Sequence, residues 1–249
     1  MQSTNETWRE LLKCVLNNGR AVKPRGHDCL ELLCHTSVVP MYAPVVTVAA
    51  RKLGYKFMAA EAAWILTGDN RVATIAPYSS RIREFSDDGV RFFGAYGPPV
   101  RDQLGHVIRA LRDDDMSRQA VLTIWRPNPP QTKDVPCTVA LQWMIREGQL
   151  HCFASMRSSD AWLGWPYDVV NFSVISRAVQ LELSGLSSVL FLGNLYLTAA
   201  SQHLYDRDSA RARECISDDE TIKTMLRPTI NPALSVDALV NYLWNVANG

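Results

Sequence analysis

Apolar positions along the chain follow two periods. Between residues 5 and 17, Trp8, Leu11, Leu12, Val15 and Leu16 recur at three- and four-residue spacing. That is the stripe of an amphipathic helix, and Asn17-Asn18-Gly19 ends it. Further helices are predicted over 56–70, 100–112, 169–183 and 235–247, with a charged one after residue 205. The segment KFMAAEAAWILTGDN (56–70) is almost wholly apolar around Glu61 and stops at a glycine. Strands are predicted where β-rich runs meet turn residues: CLELLC after the loop RGHD, RQAVLTIW entering the Pro-rich RPNPPQTKDVP, and VLFLGNLYLTAASQHLY. The run CTVALQWMI-REGQ-LHCFASMRS reads as a hairpin around a Gly-containing turn. Antiparallel strands mixed with helices, without regular βαβ alternation, predict an α+β fold. No repeat or linker divides the chain, so residues 1–249 are read as a single domain.

Composition narrows the setting. A formal net charge of +1 gives no electrostatic case for a nucleic-acid polymer or an anionic membrane as partner. No run approaches the roughly 18 apolar residues of a membrane span. Six cysteines lie scattered without a CxxC pair, which fits reduced thiols and a cytoplasmic location. The bases are lopsided, with 20 Arg against 6 Lys, a bias that suits a GC-rich coding genome.

Several residues carry chemistry, each beside a blander reading. Cys137, after a proline at a loop-to-strand junction, is a buried small hydrophobe or a thiolate nucleophile; the second needs positive charge nearby. Arg157, followed by Ser158, Ser159 and Asp160, is a surface charge or the fork of a phosphate site, to which Arg25 and Arg118 would add. Glu61 is a helix-surface carboxylate or a buried proton-transfer group. His203 and Tyr205, alternate residues of one strand, would share a side and could hold a sugar hydroxyl. Asp168 is the oddest, a carboxylate among Trp165, Pro166, Tyr167, Val169, Val170 and Phe172. Such a group needs a partner or takes up a proton.

Taken in order, EAAWILTGDN, GAYG, SRQ…W…VPC, LQW, MRSSDAWLGWPYD and HLY resemble the thymidylate synthase family, from about Arg25 to Tyr205. The resemblance implies an α+β fold around a large twisted mixed β-sheet flanked by helices, with one sheet face forming a homodimer interface. It implies 5,10-methylenetetrahydrofolate as co-substrate and no metal. Cys137 would add to carbon 6 of a pyrimidine nucleoside monophosphate, making carbon 5 nucleophilic toward the one-carbon unit. Arg25, Arg157 and Ser158, with Arg118 from the partner subunit, would hold the phosphate. Glu61 would organise water and proton transfers, and Tyr96 would assist removal of the carbon-5 proton. Asp160, Trp64 and Gly164 would bind the folate, while His203 and Tyr205 hold the sugar.

Departures from the family pattern set finer expectations. Asp168 stands where the family has Asn. An amide can pair with the oxygen 4 and N–H edge of uracil, whereas an ionised carboxylate only accepts and suits the amino edge of cytosine. The same exchange marks the family's cytidylate 5-hydroxymethylases, which act on dCMP in phages or on CMP in nucleoside-antibiotic pathways such as that of mildiomycin. The segment RIREFSDDGVRFFGAYG lacks the tryptophans of methylating members, and LWNVANG lacks their closing tail, both compatible with water capturing the intermediate. Gln119 replaces a second phosphate arginine, a place Arg126 is a candidate to fill. The expectation is therefore 5-hydroxymethylation of a cytosine nucleotide, CMP first and dCMP next. A dUMP-methylating synthase and an inactive nucleotide-binding dimer are the alternatives.

Overall fold

In the computed structural model, which describes residues 2–184, 189–229 and 234–249, local chemistry sets the first element. Ser3 accepts from the N–H of Glu6, and the Glu6 carboxylate accepts from the N–H of Ser3 at 2.7 Å. This capping box starts α1 (Thr4–Asn18), whose Trp8, Leu11, Leu12 and Val15 turn inward. There follow β1 (Arg20–Val22), β2 (Cys29–Pro40), α2 (Tyr55–Leu66), the short α3 (Val72–Ile75) and α4 (Gly97–Asp113). Next come β3 (Val121–Thr123), β4 (Thr138–Arg146), β5 (Gln149–Asp160), α5 (Trp165–Glu182), β6 (Phe191–Tyr205), α6 (Asp206–Ser217) and α7 (Val236–Asn248).

The strands form one six-stranded sheet in the order β1-β2-β6-β5-β4-β3. Every neighbouring pair is antiparallel except β5 and β6, which run parallel. A parallel pair needs a crossover, and α5 supplies it. That crossover puts the end of β5 beside the start of α5. It also sets Asp160 opposite His203, while the β2–β6 register sets Cys29 opposite Tyr205. The fold is thus the expected α+β arrangement of a mixed sheet flanked by helices.

The core lies between the sheet and the helices. Trp8, Trp143, Trp165 and Phe172 are fully enclosed. The indole N–H groups of these three tryptophans each find an acceptor: Trp8 the Ala161 carbonyl at 2.9 Å, Trp143 the Ser176 hydroxyl at 2.8 Å, and Trp165 the Ser37 hydroxyl at 3.3 Å. The other sheet face stays half exposed although partly apolar, with Phe153 stacked on Tyr196 at 4.8 Å. No helix among the described residues is long and apolar enough to cross a membrane.

Two elements depart from the pattern-based expectation. RQAVLTIW yields only the three residues of β3, because it pairs with β4 alone over Val121–Thr123 and then enters the Pro-rich loop. The helix expected over 169–183 begins four residues earlier, at Trp165, with Pro166 in its first turn. Proline fits there because the first N–H groups of a helix have no intrahelical acceptor. Asp168 therefore belongs to the first turn of α5, not to a loop before it.

Candidate active site

A cavity of about 610 Å³ opens where the ends of β5 and β6, the start of α5, the middle of α2 and the loop before β4 meet. That is a volume suited to a small-molecule site. Arg25, Glu61, Trp64, Tyr96, Cys137, Arg157, Ser158, Asp160, Gly164, Asp168, His203 and Tyr205 all line it. Arg118 does not: it is exposed in the loop before β3, where its carbonyl accepts from Gln142. Arg126 lies over the Phe93 ring, and neither it nor Gln119 reaches the cavity.

Arg157 fixes the thiol. Its Nε donates to the Pro136 carbonyl and its Nη2 to the Val135 carbonyl, both at 2.9 Å, and Nη2 lies 3.7 Å from Cys137 Sγ. The main chain adds a bond from the Arg157 N–H to the Cys137 carbonyl. One guanidinium thereby clamps the loop before β4 and sets a positive charge against the sulfur. Burial pushes the Cys137 thiol up and Asp168 pushes the same way, while Arg157 and Arg25 pull it down. Nη1 of Arg157 is left without a partner among the described residues, free for an anion.

Opposite the thiol stand groups that hold protons. Glu61, from the middle of α2, is pushed up to about 7 by burial, against the pull of the Asn171 amide donating to it at 2.8 Å. Asp168 is held well above the usual carboxylate range by burial first, then by the charges of Glu61 and Asp160. Its carboxyl receives no protein hydrogen bond among the described residues, and Gly164 leaves room beside it: a Cβ there would sit 3.3 Å from Asp168 Oδ2. Burial, Asp168 and Cys137 raise the Tyr96 phenol. Thr138 donates to the Tyr96 oxygen at 2.9 Å, which leaves the phenolic proton free to point elsewhere.

At the far side Asp160 spends one oxygen on the turn into α5, accepting from the N–H groups of Trp162 and Leu163. Its other oxygen is unpaired. His203 and Tyr205 meet edge to face at 5.1 Å, as adjacent positions on one side of β6 allow. Arg207 lies over the Tyr205 ring at 4.4 Å, and Arg25, in the left-handed conformation at φ 52°, enters from the loop before β2. Arginines and titratable acids thus share the one cavity.

Several lining residues escaped the sequence reading. Asn171 had a usable signal, one helical turn from Asp168. Arg207 lies two residues beyond the HLY run. Asp134 accepts from the Gly94 N–H at 2.7 Å and ties the GAYG segment to the Cys137 loop, a long-range contact with no local signature. Glu84, with Arg81, comes from the segment without tryptophans and brings charge to the cavity wall. The remaining wall is aromatic: Phe57 and Tyr167 meet edge to face, Trp64 packs on Phe92, and the buried Trp64 Nε1 has no partner among the described residues.

The pattern that defines the thymidylate synthase family matches residues 6–240. Among curated relatives, the chain is 28% identical over 223 residues to the deoxyuridylate hydroxymethyltransferase of Bacillus phage SP01. The match covers 80% of this chain and 56% of that protein, so the chain spans little more than half the relative's length.

Proposed function

Because this chain belongs to the thymidylate synthase family, we propose that it hydroxymethylates carbon 5 of a cytosine nucleoside monophosphate. The observation that carries this reading is Asp168, a buried carboxyl with no protein hydrogen bond among the described residues and held above the usual carboxylate range, which lines the same cavity as Tyr96 and lies within electrostatic reach of Cys137.

The neutral acid donates its O–H to ring nitrogen 3 of cytosine and accepts from the amino group at position 4. When the Cys137 thiolate adds to carbon 6, electron density moves toward nitrogen 3 and the Asp168 proton goes with it. The resulting carboxylate then accepts from two N–H groups, a charge-assisted pair. Uracil already carries hydrogen on nitrogen 3 and cannot take that proton there. The neutral acid can also pair with the oxygen 4 and N–H edge of uracil, so discrimination rests on this proton transfer during addition and not on pairing in the ground state. On this proposal Asp168 binds cytosine as the acid and becomes charged during the reaction.

5,10-Methylenetetrahydrofolate would supply the one-carbon unit, held by Trp64, Asp160, Gly164 and the Phe57–Tyr167 wall. Arg25, Arg157 and Ser158 hold the phosphate, His203 and Tyr205 the sugar, and Tyr96 assists loss of the carbon-5 proton. Charged Arg81 and Glu84 in the wall favour water as the final nucleophile. The half-exposed apolar sheet face supports a homodimer, in which Arg118, exposed and outside its own cavity, would complete the partner's phosphate site. CMP precedes dCMP as the substrate to test, on the Arg-rich composition alone.

A second reading, hydroxymethylation of dUMP, is favoured by the name of the phage relative. Mass spectrometry of the products formed from CMP, dCMP and dUMP with methylenetetrahydrofolate separates the two. A gain of a hydroxymethyl group on CMP or dCMP is expected. Turnover of dUMP with none on either cytosine nucleotide overturns the cytosine reading.

A further inference from the structure

Asn171 lies one turn beyond Asp168 in α5 and is 3% exposed. Its Nδ2 donates to Glu61 Oε2 at 2.8 Å, joining α5 to α2. Its Oδ1 is buried and has no partner. Both residues line the cavity that holds Cys137. A buried amide oxygen left unpaired is costly, and folded proteins usually satisfy such atoms with each other or with ordered water.

Covalent geometry limits where that oxygen can be. The oxygen and nitrogen of one amide are about 2.3 Å apart. Asn171 Oδ1 is therefore no more than about 5.1 Å from Glu61 Oε2, given the 2.8 Å bond. A water making two hydrogen bonds of about 2.8 Å spans up to about 5.6 Å, so the separation of the two oxygens does not exceed a one-water bridge.

We propose that Asn171 is a positioning residue: it orients Glu61 and, through Oδ1, holds with it the water whose oxygen becomes the hydroxyl of the product. This rests on the hydroxymethylase reading and names the nucleophile's site within it. A water that donates both hydrogens, one to Glu61 and one to Asn171, has its lone pairs turned away from them and toward the cavity. In the capture step the water oxygen bonds to the exocyclic methylene carbon on carbon 5, and the methylene double-bond electrons move into the ring toward carbon 4. One water proton passes to the Glu61 carboxylate. The ring electrons then re-form the carbon 5–carbon 6 double bond as the carbon 6–sulfur bond breaks and the Cys137 thiolate leaves. No net oxidation or reduction occurs.

The test is partition of the methylene intermediate in the presence of 2-mercaptoethanol, whose thiol competes with water and gives a thioether. With wild type the hydroxymethyl product should dominate. With Asn171→Ala the ratio of hydroxymethyl to thioether product should fall at least tenfold. The acid limb of hydroxymethylation, set by Glu61, should also move to higher pH, because a donor to its carboxylate has been removed. A merely structural role would lower both products together and leave ratio and limb in place, which overturns the proposal. Asn171→Ser keeps a small donor and acceptor and should recover part of the ratio. If the alanine variant does not fold, an unchanged ratio and limb in the serine variant overturn the proposal equally. Failure of wild type to hydroxymethylate any nucleotide would instead overturn the reading beneath it.

Discussion

Replacing Glu61 with Gln tests the electrostatics of the cavity before any substrate enters. Burial raises the Glu61 carboxyl from an ordinary value of 4.5 to about 7. The folded chain therefore binds this proton more tightly than the unfolded chain does between those two values. Stability contributed by the neutral acid is complete below 4.5 and is lost as pH rises through 7, because the unfolded state binds fewer protons in that window. The interval, at about 1.4 kcal/mol per pH unit, amounts to about 3 kcal/mol. Glutamine keeps an acceptor for the Asn171 amide and cannot titrate. Equilibrium urea unfolding of both proteins from pH 4 to pH 8 reads the effect, and groups common to the two cancel in the difference. The wild-type advantage over Glu61→Gln should shrink by about 3 kcal/mol across the range. Asp168 feels the Glu61 charge, so the comparison repeated in an Asp168→Asn background isolates the Glu61 contribution. Parallel stability curves would refute the claim that this carboxyl keeps its proton in the folded protein.

Cys137→Ala should abolish turnover while leaving CMP affinity, by calorimetry, within a few-fold of wild type; retained turnover would remove the thiol from the mechanism. Asp168→Asn should lower the ratio of kcat/KM for CMP over dUMP at least tenfold, and an unchanged ratio would mean that Asp168 does not read the base. A Cβ on Gly94 would sit 2.5 Å from the Asp134 carbonyl and 2.9 Å from its Oδ1. Gly94→Ala should therefore push apart the two loops that frame Cys137, lowering Tm and cutting kcat/KM more than tenfold, and a variant with wild-type kinetics would show that this contact does not position the thiol.

How far the site could be read in advance depends on which interactions are local. The α1 stripe, the Glu61 helix and the hairpin that became β4 and β5 were legible because periodicity and turn chemistry act over a few residues. The start of α5 was misjudged because Gly164-Trp165-Pro166 looks like a loop until proline is credited with fitting a helix's first turn. The membership of twelve scattered residues in one cavity came from family resemblance, and composition alone could not have supplied it. Asp134 stayed hidden for a physical reason: it acts through one contact across the fold, with the Gly94 N–H, and no spacing along the chain announces it. The proton affinity of Asp168 was also out of reach, because it depends on burial and on two other carboxyls brought near by folding.

That last dependence explains how the charges that share the cavity coexist. Arg25, Arg157 and Arg207 line it for the expected dianionic phosphate, and Glu61, Asp168 and Tyr96 line it for the base. Burial raises all three groups, and neighbouring acids add to it at Tyr96 and Asp168, so ionising them together carries a cost. The empty site relieves it by holding protons. A nucleotide that accepts one of those protons as the thiolate attacks converts a static penalty into a driving force for addition at carbon 6. Cys137 feels both charges, its sulfur 3.7 Å from Arg157 and within the field of Asp168. On the proposed mechanism, proton delivery to the base and thiolate attack are coupled through one carboxyl, so an amide at position 168 should alter base choice and chemistry together.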